Sequence, residues 1–95
     1  MPEIQFKVQW PDGSQEVCYS PSLVVKDYLT AGEVYGLESF VARSRTALTL
    51  ASERVQQKYG FPCSRALGQL QRIETKAKDY QSFDQPSVQI IEFVA

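Results

Sequence analysis

The sequence predicts a single α+β domain in which a three-stranded antiparallel sheet is packed on one face by three helices, in the order ββαααβ. Three observations lead to this prediction. Apolar and polar side chains alternate over the first ten residues, apolar residues recur at helical spacing through the middle of the chain, and β-branched residues are concentrated near its end. At 95 residues the chain can bury one hydrophobic core, so we expect residues 1–95 to form one domain.

The first two strands are predicted to form a hairpin. Residues 4–10 alternate between apolar and polar side chains, as a half-buried strand does. Residues 11–14 read Pro-Asp-Gly-Ser, and these residue types favour a tight turn. The returning strand covers residues 15–19, and its alternation places Val17 and Tyr19 together on one face.

Three helices are predicted between the hairpin and the closing strand. Ser20, followed by a proline, suits the start of a first helix, which we expect to end near Gly32. A longer helix is predicted from Leu37, because apolar residues recur every three or four positions until Gly60, the expected C-terminal cap. The third helix is predicted over residues 62–79 and should pack antiparallel to the second.

The closing strand is predicted over residues 87–94 and should pair with the first strand, which then lies at the centre of the sheet. Strict alternation along the closing strand turns Ile91 and Phe93 away from the helices. Together with Val17 and Tyr19, these residues form an apolar patch on the uncovered face of the predicted sheet. Such a patch is typical of a protein contact, so we expect an interaction surface here, with a second copy of the chain as its specific partner.

The composition excludes several classes of site. The chain contains no histidine and two cysteines, Cys18 and Cys63, so we expect neither a structural zinc site nor catalysis by a serine–histidine or cysteine–histidine pair. It also lacks a glycine-rich phosphate loop and a dinucleotide-binding motif. We therefore predict no catalytic residues, no metal and no cofactor. A redox role for the cysteines requires that the fold brings them together, and burial as small apolar side chains is the commoner role.

The hydropathy of the sequence bears on localisation. No apolar run reaches the roughly 20 residues that a membrane-spanning helix needs. The first ten residues lack the basic and then apolar segments of a secretory leader. We therefore expect a cytoplasmic protein without a membrane partner.

Two further classes of function stay open. A small-molecule pocket near the helix ends would use five side chains: Glu33, Tyr35, Glu53, Arg54 and Cys63. Residues 38–80 hold eight Lys/Arg and four Asp/Glu, so nucleic-acid binding is a third alternative. A solvated helix surface explains the same charges more simply.

Two segments, WPDGSQEVCYSPSLVVKDYLTAGEVY (residues 10–35) and ALTLASERVQQKYGFPCSRALGQL (residues 47–70), resemble a bacterial family of small nitrogen-starvation response proteins. The resemblance runs from Pro2 to Leu70 and is loose over residues 81–95. It implies a stand-alone protein of this length, encoded beside a nitrilase and other presumed biosynthetic enzymes. It implies a role in nitrogen limitation, without an established activity. Together with the apolar patch, this leads us to expect a non-enzymatic accessory or regulatory protein that acts by protein contact, with a small-molecule binder or minor enzyme of the nitrilase-linked pathway as the alternative.

Overall fold

The start of the chain forms the predicted hairpin in the computed structural model, which describes residues 2–95. Strand β1 (Ile4–Gln9) pairs antiparallel with strand β2 (Gln15–Ser20). In the turn between them, the Trp10 N–H donates to the Ser14 carbonyl at 2.8 Å, and Gly13 adopts a φ of 88°. Glycine adopts this left-handed conformation without steric cost, which explains its place in the turn.

The sheet has four strands in the order β2-β1-β4-β3, so the prediction of three strands is wrong. Strand β4 (Ser87–Val94) pairs antiparallel with β1 on the side opposite β2, which confirms that β1 lies inside the sheet between its two predicted neighbours. The additional strand, β3 (Val34–Gly36), pairs with the start of β4. The sequence predicted no element between Gly32 and Leu37, because a strand of three residues is too short to show an alternating pattern.

The helical part contains two α-helices and not the predicted three. Helix α1 (Leu37–Tyr59) ends at Gly60, whose φ of 86° gives the predicted left-handed cap and whose N–H donates to the Gln56 carbonyl at 2.7 Å. Helix α2 (Ser64–Ala77) follows and packs against α1. Among residues 2–95, no helix combines the length and apolar composition that crossing a membrane requires.

The segment predicted as the first helix forms only a 3₁₀ turn, Leu23–Asp27. Ser22, and not Ser20, caps this turn, because the Val24 N–H donates to the Ser22 hydroxyl at 3.2 Å. The two consecutive valines in the segment lose rotamer freedom in an α-helix, and this disfavours a longer helix. A second 3₁₀ turn, Lys78–Tyr80, continues the chain from α2.

A hydrophobic core lies between the sheet and the helices, which cover one face of the sheet. β1 contributes every second residue, and the helices contribute the residues of their apolar stripes. The largest fully buried apolar side chains are those of Trp10, Phe6, Phe40, Leu29, Leu48, Ile73 and Ile90.

Strand β4 contains a β-bulge where it pairs with β1. Lys7 lies opposite Glu92, but the next residue, Val8, lies opposite Ile90, so Ile91 is an extra residue in β4. Because side chains alternate between the two faces of a strand, one extra residue reverses the faces of all residues beyond it. The C-terminal part of β4 therefore points its side chains opposite to what strict alternation predicts.

The outer edge of β2 is covered by α2. Gln69 is buried, and its side-chain carbonyl accepts hydrogen bonds from the Tyr19 N–H and from the Arg72 guanidinium, both at 3.1 Å. The backbone N–H of an edge strand otherwise has no neighbouring strand to pair with. The carbonyl of Gln69 takes the place of the missing strand at this position.

Candidate interaction surface

The face of the sheet that points away from the helices, the outer face, is crossed by three rows of side chains. Each row joins residues that are paired on neighbouring strands, and such residues share a face. The Gln5 row consists of Tyr19, Gln5 and Val94; the Lys7 row consists of Val17, Lys7 and Glu92; the Gln9 row consists of Gln15, Gln9, Gln89 and Val34.

Three valines form the apolar part of the outer face. Val17 is 52% exposed, Val34 is 57% exposed and Val94 is 40% exposed. They lie on one face of one sheet, each on a different strand and in a different row, with polar side chains between them. The helices pack on the opposite face, so the side chains of the three valines are available for a contact.

The polar part of the outer face is made of amides and one pair of opposite charges. In the Gln9 row, the Gln15 amide donates to the Gln9 side-chain carbonyl at 3.3 Å. In the Lys7 row, Lys7 and Glu92 lie directly opposite each other on the two central strands. The ion pairs found among residues 2–95 join other side chains, so Lys7 and Glu92 are not paired with each other.

The structure divides the four residues of the predicted apolar patch. Val17 and Tyr19 lie on the outer face as predicted. Phe93 does not: it lies opposite Phe6 and packs against the core, with the two ring centroids 6.4 Å apart. Ile91 is the bulge residue and is half-buried. The prediction assumed strict alternation along β4, and the bulge reverses the alternation before Phe93.

Tyr19 is partly covered by the chain itself. The guanidinium of Arg65, at the start of α2, stacks 4.0 Å from the centroid of the Tyr19 ring. Arg65 also lies 3.9 Å from the carboxylate of Glu3. Burial raises the pKa of Tyr19, and the nearby carboxylate of Glu3 raises it further. This corner of the outer face is therefore occupied by intramolecular contacts.

The five residues of the predicted small-molecule pocket do not come together. Tyr35 precedes α1, where its hydroxyl accepts the Thr30 N–H at 2.9 Å. Glu53 is sixteen positions beyond the first residue of α1, which corresponds to about 24 Å along the helix axis. Arg54 lies beside Glu53 and donates to the Ser22 hydroxyl at 3.4 Å. Glu33 and Tyr35 are thus at one end of α1, and the other members of the set are at its other end.

Both cysteines are free thiols. Cys18 lies in the core on the helix-facing side of β2, and burial raises its pKa to about 12. A thiol with this pKa stays protonated at neutral pH and is a poor nucleophile. Cys63 precedes α2, and its N–H donates to the Ser52 hydroxyl at 3.1 Å, which closes the turn between the helices. The contacts of both cysteines are those of structural residues.

A cleft of about 850 Å³ lies between the start of α1 and the end of α2. Arg45 in its wall donates two hydrogen bonds, of 3.1 and 2.8 Å, to one carboxylate oxygen of Glu74 on the opposite wall. The cleft is open to solvent, and this ion pair joins two of the charged side chains in its walls.

Many of the basic side chains of residues 38–80 have partners within the chain. Arg43 donates to the Tyr28 carbonyl at 3.0 Å and lies 4.9 Å from the centroid of the Tyr35 ring. Lys76 lies 3.6 Å from the Glu16 carboxylate. Side chains held in this way are less available to bind phosphates, so the contacts favour the simpler explanation of a solvated helix surface.

The Trp-Pro-Asp-Gly-Ser turn has a structural role. Trp10 is buried against Tyr80, with their ring centroids 5.6 Å apart, and its indole N–H donates to Glu16 at 3.2 Å. The Asp12 carboxylate accepts hydrogen bonds from the Ser14 N–H and hydroxyl and, at 3.0 Å, from the Tyr80 hydroxyl. These bonds attach the hairpin to the second 3₁₀ turn, and the Ser14 bonds are the main reason that the pKa of Asp12 is lowered.

Comparison with known families shows the family of the chain. The sequence model of the family described as nitrogen starvation-induced protein NitG matches residues 5–93. The chain belongs to this family. No curated protein and no solved structure is found to be similar to it.

The match to the NitG family covers more of the chain than the sequence resemblance predicted. It begins in β1 and ends at Phe93 in β4, whereas the resemblance was strong only as far as Leu70. The closing strand, β4, is one of the two central strands of the outer face. It thus lies within the region that the NitG family model matches, as far as Phe93. The position of the gene beside a nitrilase stays a prediction.

Several residues of the outer face were not predicted from the sequence. Lys7 was identified only as a polar residue of the first strand, although the hairpin register places it opposite Val17. Glu92 and Val94 were missed because their orientation depends on the bulge. Val34 was missed together with β3. A three-residue hairpin loop over residues 11–13, with Gly13 in the left-handed conformation, pairs Trp10 with Ser14 and would have placed Lys7 opposite Val17, but no sequence signal marks the bulge.

Proposed function

We propose that the chain is a non-enzymatic accessory or regulatory protein of the bacterial response to nitrogen limitation, and that it acts in the cytoplasm by protein contact through the outer face. The observation that carries this proposal is the one-sided covering of the sheet. A four-stranded sheet with helices on one face leaves Val17, Val34 and Val94 exposed on the other. Membership of the NitG family supports the nitrogen-limitation part of the proposal.

The partner that best fits the outer face is a second copy of the chain. The three rows contain one lysine and one glutamate, and their other polar members are amides and a tyrosine hydroxyl. Two such faces meet without a net repulsion between like charges, and each amide offers both a donor and an acceptor to the other face. A strongly charged partner, such as nucleic acid, finds no matching charge on this surface.

The proposal is tested by a comparison of two double variants in the organism that encodes the chain. One variant, Val17→Glu with Val94→Glu, adds two charges to the outer face. The control, Leu23→Glu with Leu67→Glu, adds two charges at positions of similar exposure, 43% and 42%, that lie outside the sheet. Each variant replaces the wild-type gene, and growth is measured in competition with the parent strain under nitrogen limitation and with ample nitrogen.

We expect the outer-face variant to lose fitness under nitrogen limitation only, as a strain without the gene does, while the control behaves like the parent. Thermal unfolding of both purified variants verifies that they are folded. If the folded outer-face variant competes as well as the parent while the deletion strain does not, contact through the outer face is not the function.

A further inference from the structure

We infer that two copies of the chain form a symmetric dimer in which the outer faces stack and Lys7 of each copy lies against Glu92 of the other. The inference rests on the proposed function and specifies its partner and its geometry. Two observations carry it: Lys7 and Glu92 occupy the same row on the two central strands, and neither forms an ion pair with any of residues 2–95.

The position of the two-fold axis follows from the order of the strands. In β2-β1-β4-β3, the centre of the sheet lies between β1 and β4. Consider a two-fold axis that runs parallel to the strands at this position, midway between the two stacked sheets. It places β1 of one copy over β4 of the other, and each row of one copy over the same row of the other. Lys7 then lies over Glu92 of the second copy, and Glu92 lies over Lys7 of the second copy. A two-fold interface repeats each contact, so the dimer gains two ion pairs.

The same axis also sets the central residues of the other two rows over each other. Gln9 lies over Gln89 of the second copy, which brings amide against amide, and Gln5 lies over Val94. Stacked sheets are about 10 Å apart, a separation that two long side chains reaching from opposite sides can bridge. Packed sheets also cross at about 30° because each sheet is twisted, so the contacts are closest at the central strands. Lys7 and Glu92 lie on those strands.

The size of the outer face predicts how strong the dimer is. Four strands spaced about 4.8 Å apart and six residues of about 3.3 Å each give a flat area of about 400 Å² per copy, or about 800 Å² for both. Stable interfaces bury about 1,200–2,000 Å² in total. We therefore expect a reversible dimer that dissociates on dilution, and like charges set against each other across so small an interface are enough to prevent association.

The test uses single charge reversals and their mixture. Lys7→Glu sets a glutamate against Glu92 at two places in the dimer, and Glu92→Lys sets a lysine against Lys7 at two places. Each variant alone should therefore associate about a hundredfold more weakly than the wild type. A mixture of the two variants restores both attractive pairs, because one copy carries two glutamates and the other two lysines. We expect a heterodimer in the mixture as stable as the wild-type dimer. The control variants Lys78→Glu and Asp84→Lys make the same charge changes outside the sheet and should not alter association.

Light scattering over a concentration series measures the mass of each sample, and circular dichroism verifies that each variant is folded. Dimeric wild type, monomeric single variants and a dimeric mixture support the inferred geometry. If the single variants dimerise like the wild type, or if their mixture stays monomeric, the two-fold arrangement is wrong even though the proposed function stands. A wild type that is monomeric at every concentration overturns the dimer. The proposed function is then decided by the growth competition alone, since the outer face can still bind a different protein.

Discussion

Replacing Phe93 with alanine tests the β-bulge, on which the assignment of residues to the outer face depends. Complete truncation of a fully buried phenylalanine costs about 3–5 kcal/mol of unfolding free energy. Phe93 is half-buried, packs against Phe6 at 6.4 Å between ring centroids and lies under Lys26, whose ammonium is 5.8 Å from its ring. We therefore expect Phe93→Ala to cost about 2 kcal/mol, or about 10 °C in the melting temperature of a domain of this size.

The matched control is the next residue of the same strand. Val94 lies on the outer face and is 40% exposed, so Val94→Ala should cost less than about 0.5 kcal/mol. Urea unfolding of both variants measures the difference, and Phe93→Ala should lower the midpoint by about 1 M. Strict alternation along β4 predicts the reverse order of the two variants. If Val94→Ala costs as much as Phe93→Ala, the bulge is absent and Lys7 does not lie opposite Glu92.

Two other predictions concern side chains with shifted pKa values. Tyr80→Phe removes the hydrogen bond to Asp12 and should lower the melting temperature at neutral pH by about 3–5 °C. The lowered pKa of Asp12 means that the stabilisation from its charged form is complete above the ordinary value of 3.8 and is lost as the pH falls through the lowered value. The difference between the Tyr80→Phe variant and the wild type should therefore shrink in acid, and a difference that stays constant down to about pH 2 contradicts this role for Asp12. Cys18 is buried and its pKa is raised to about 12. A thiol reagent at neutral pH should therefore modify Cys63 in the native protein and react with Cys18 only after unfolding. Rapid modification of both thiols in the native protein refutes this prediction.

The parts of the fold that the sequence predicted correctly are those with local signals. The alternation over residues 4–10 and the turn after it define the hairpin without reference to the rest of the chain. The bounds of α1 follow from its apolar spacing and from Gly60. Strand β4 was predicted over the same residues that it occupies, because β-branched side chains are concentrated there.

The parts that were missed depend on contacts between distant segments. Strand β3 exists because its residues pair with β4, and its three residues carry no pattern of their own. The bulge at Ile91 is fixed by how β4 fits against β1, so the orientation of Phe93 was not available from the sequence of β4 alone. For the same two reasons, only part of the candidate surface was predicted. The hairpin half, with Val17 and Tyr19, was predicted. The half that contains Glu92, Val94 and Val34 depends on the bulge and on β3, and it was not.

The carbonyl of Gln69 also restricts how this protein can associate with itself. By accepting the Tyr19 N–H, it occupies one position on the edge of β2, along which α2 packs, and the other edge, β3, offers only three residues. Growth of a sheet from chain to chain, the route by which β-rich proteins form fibrils, therefore has no long open edge to start from among residues 2–95. A chain protected in this way is less prone to aggregation from edge to edge.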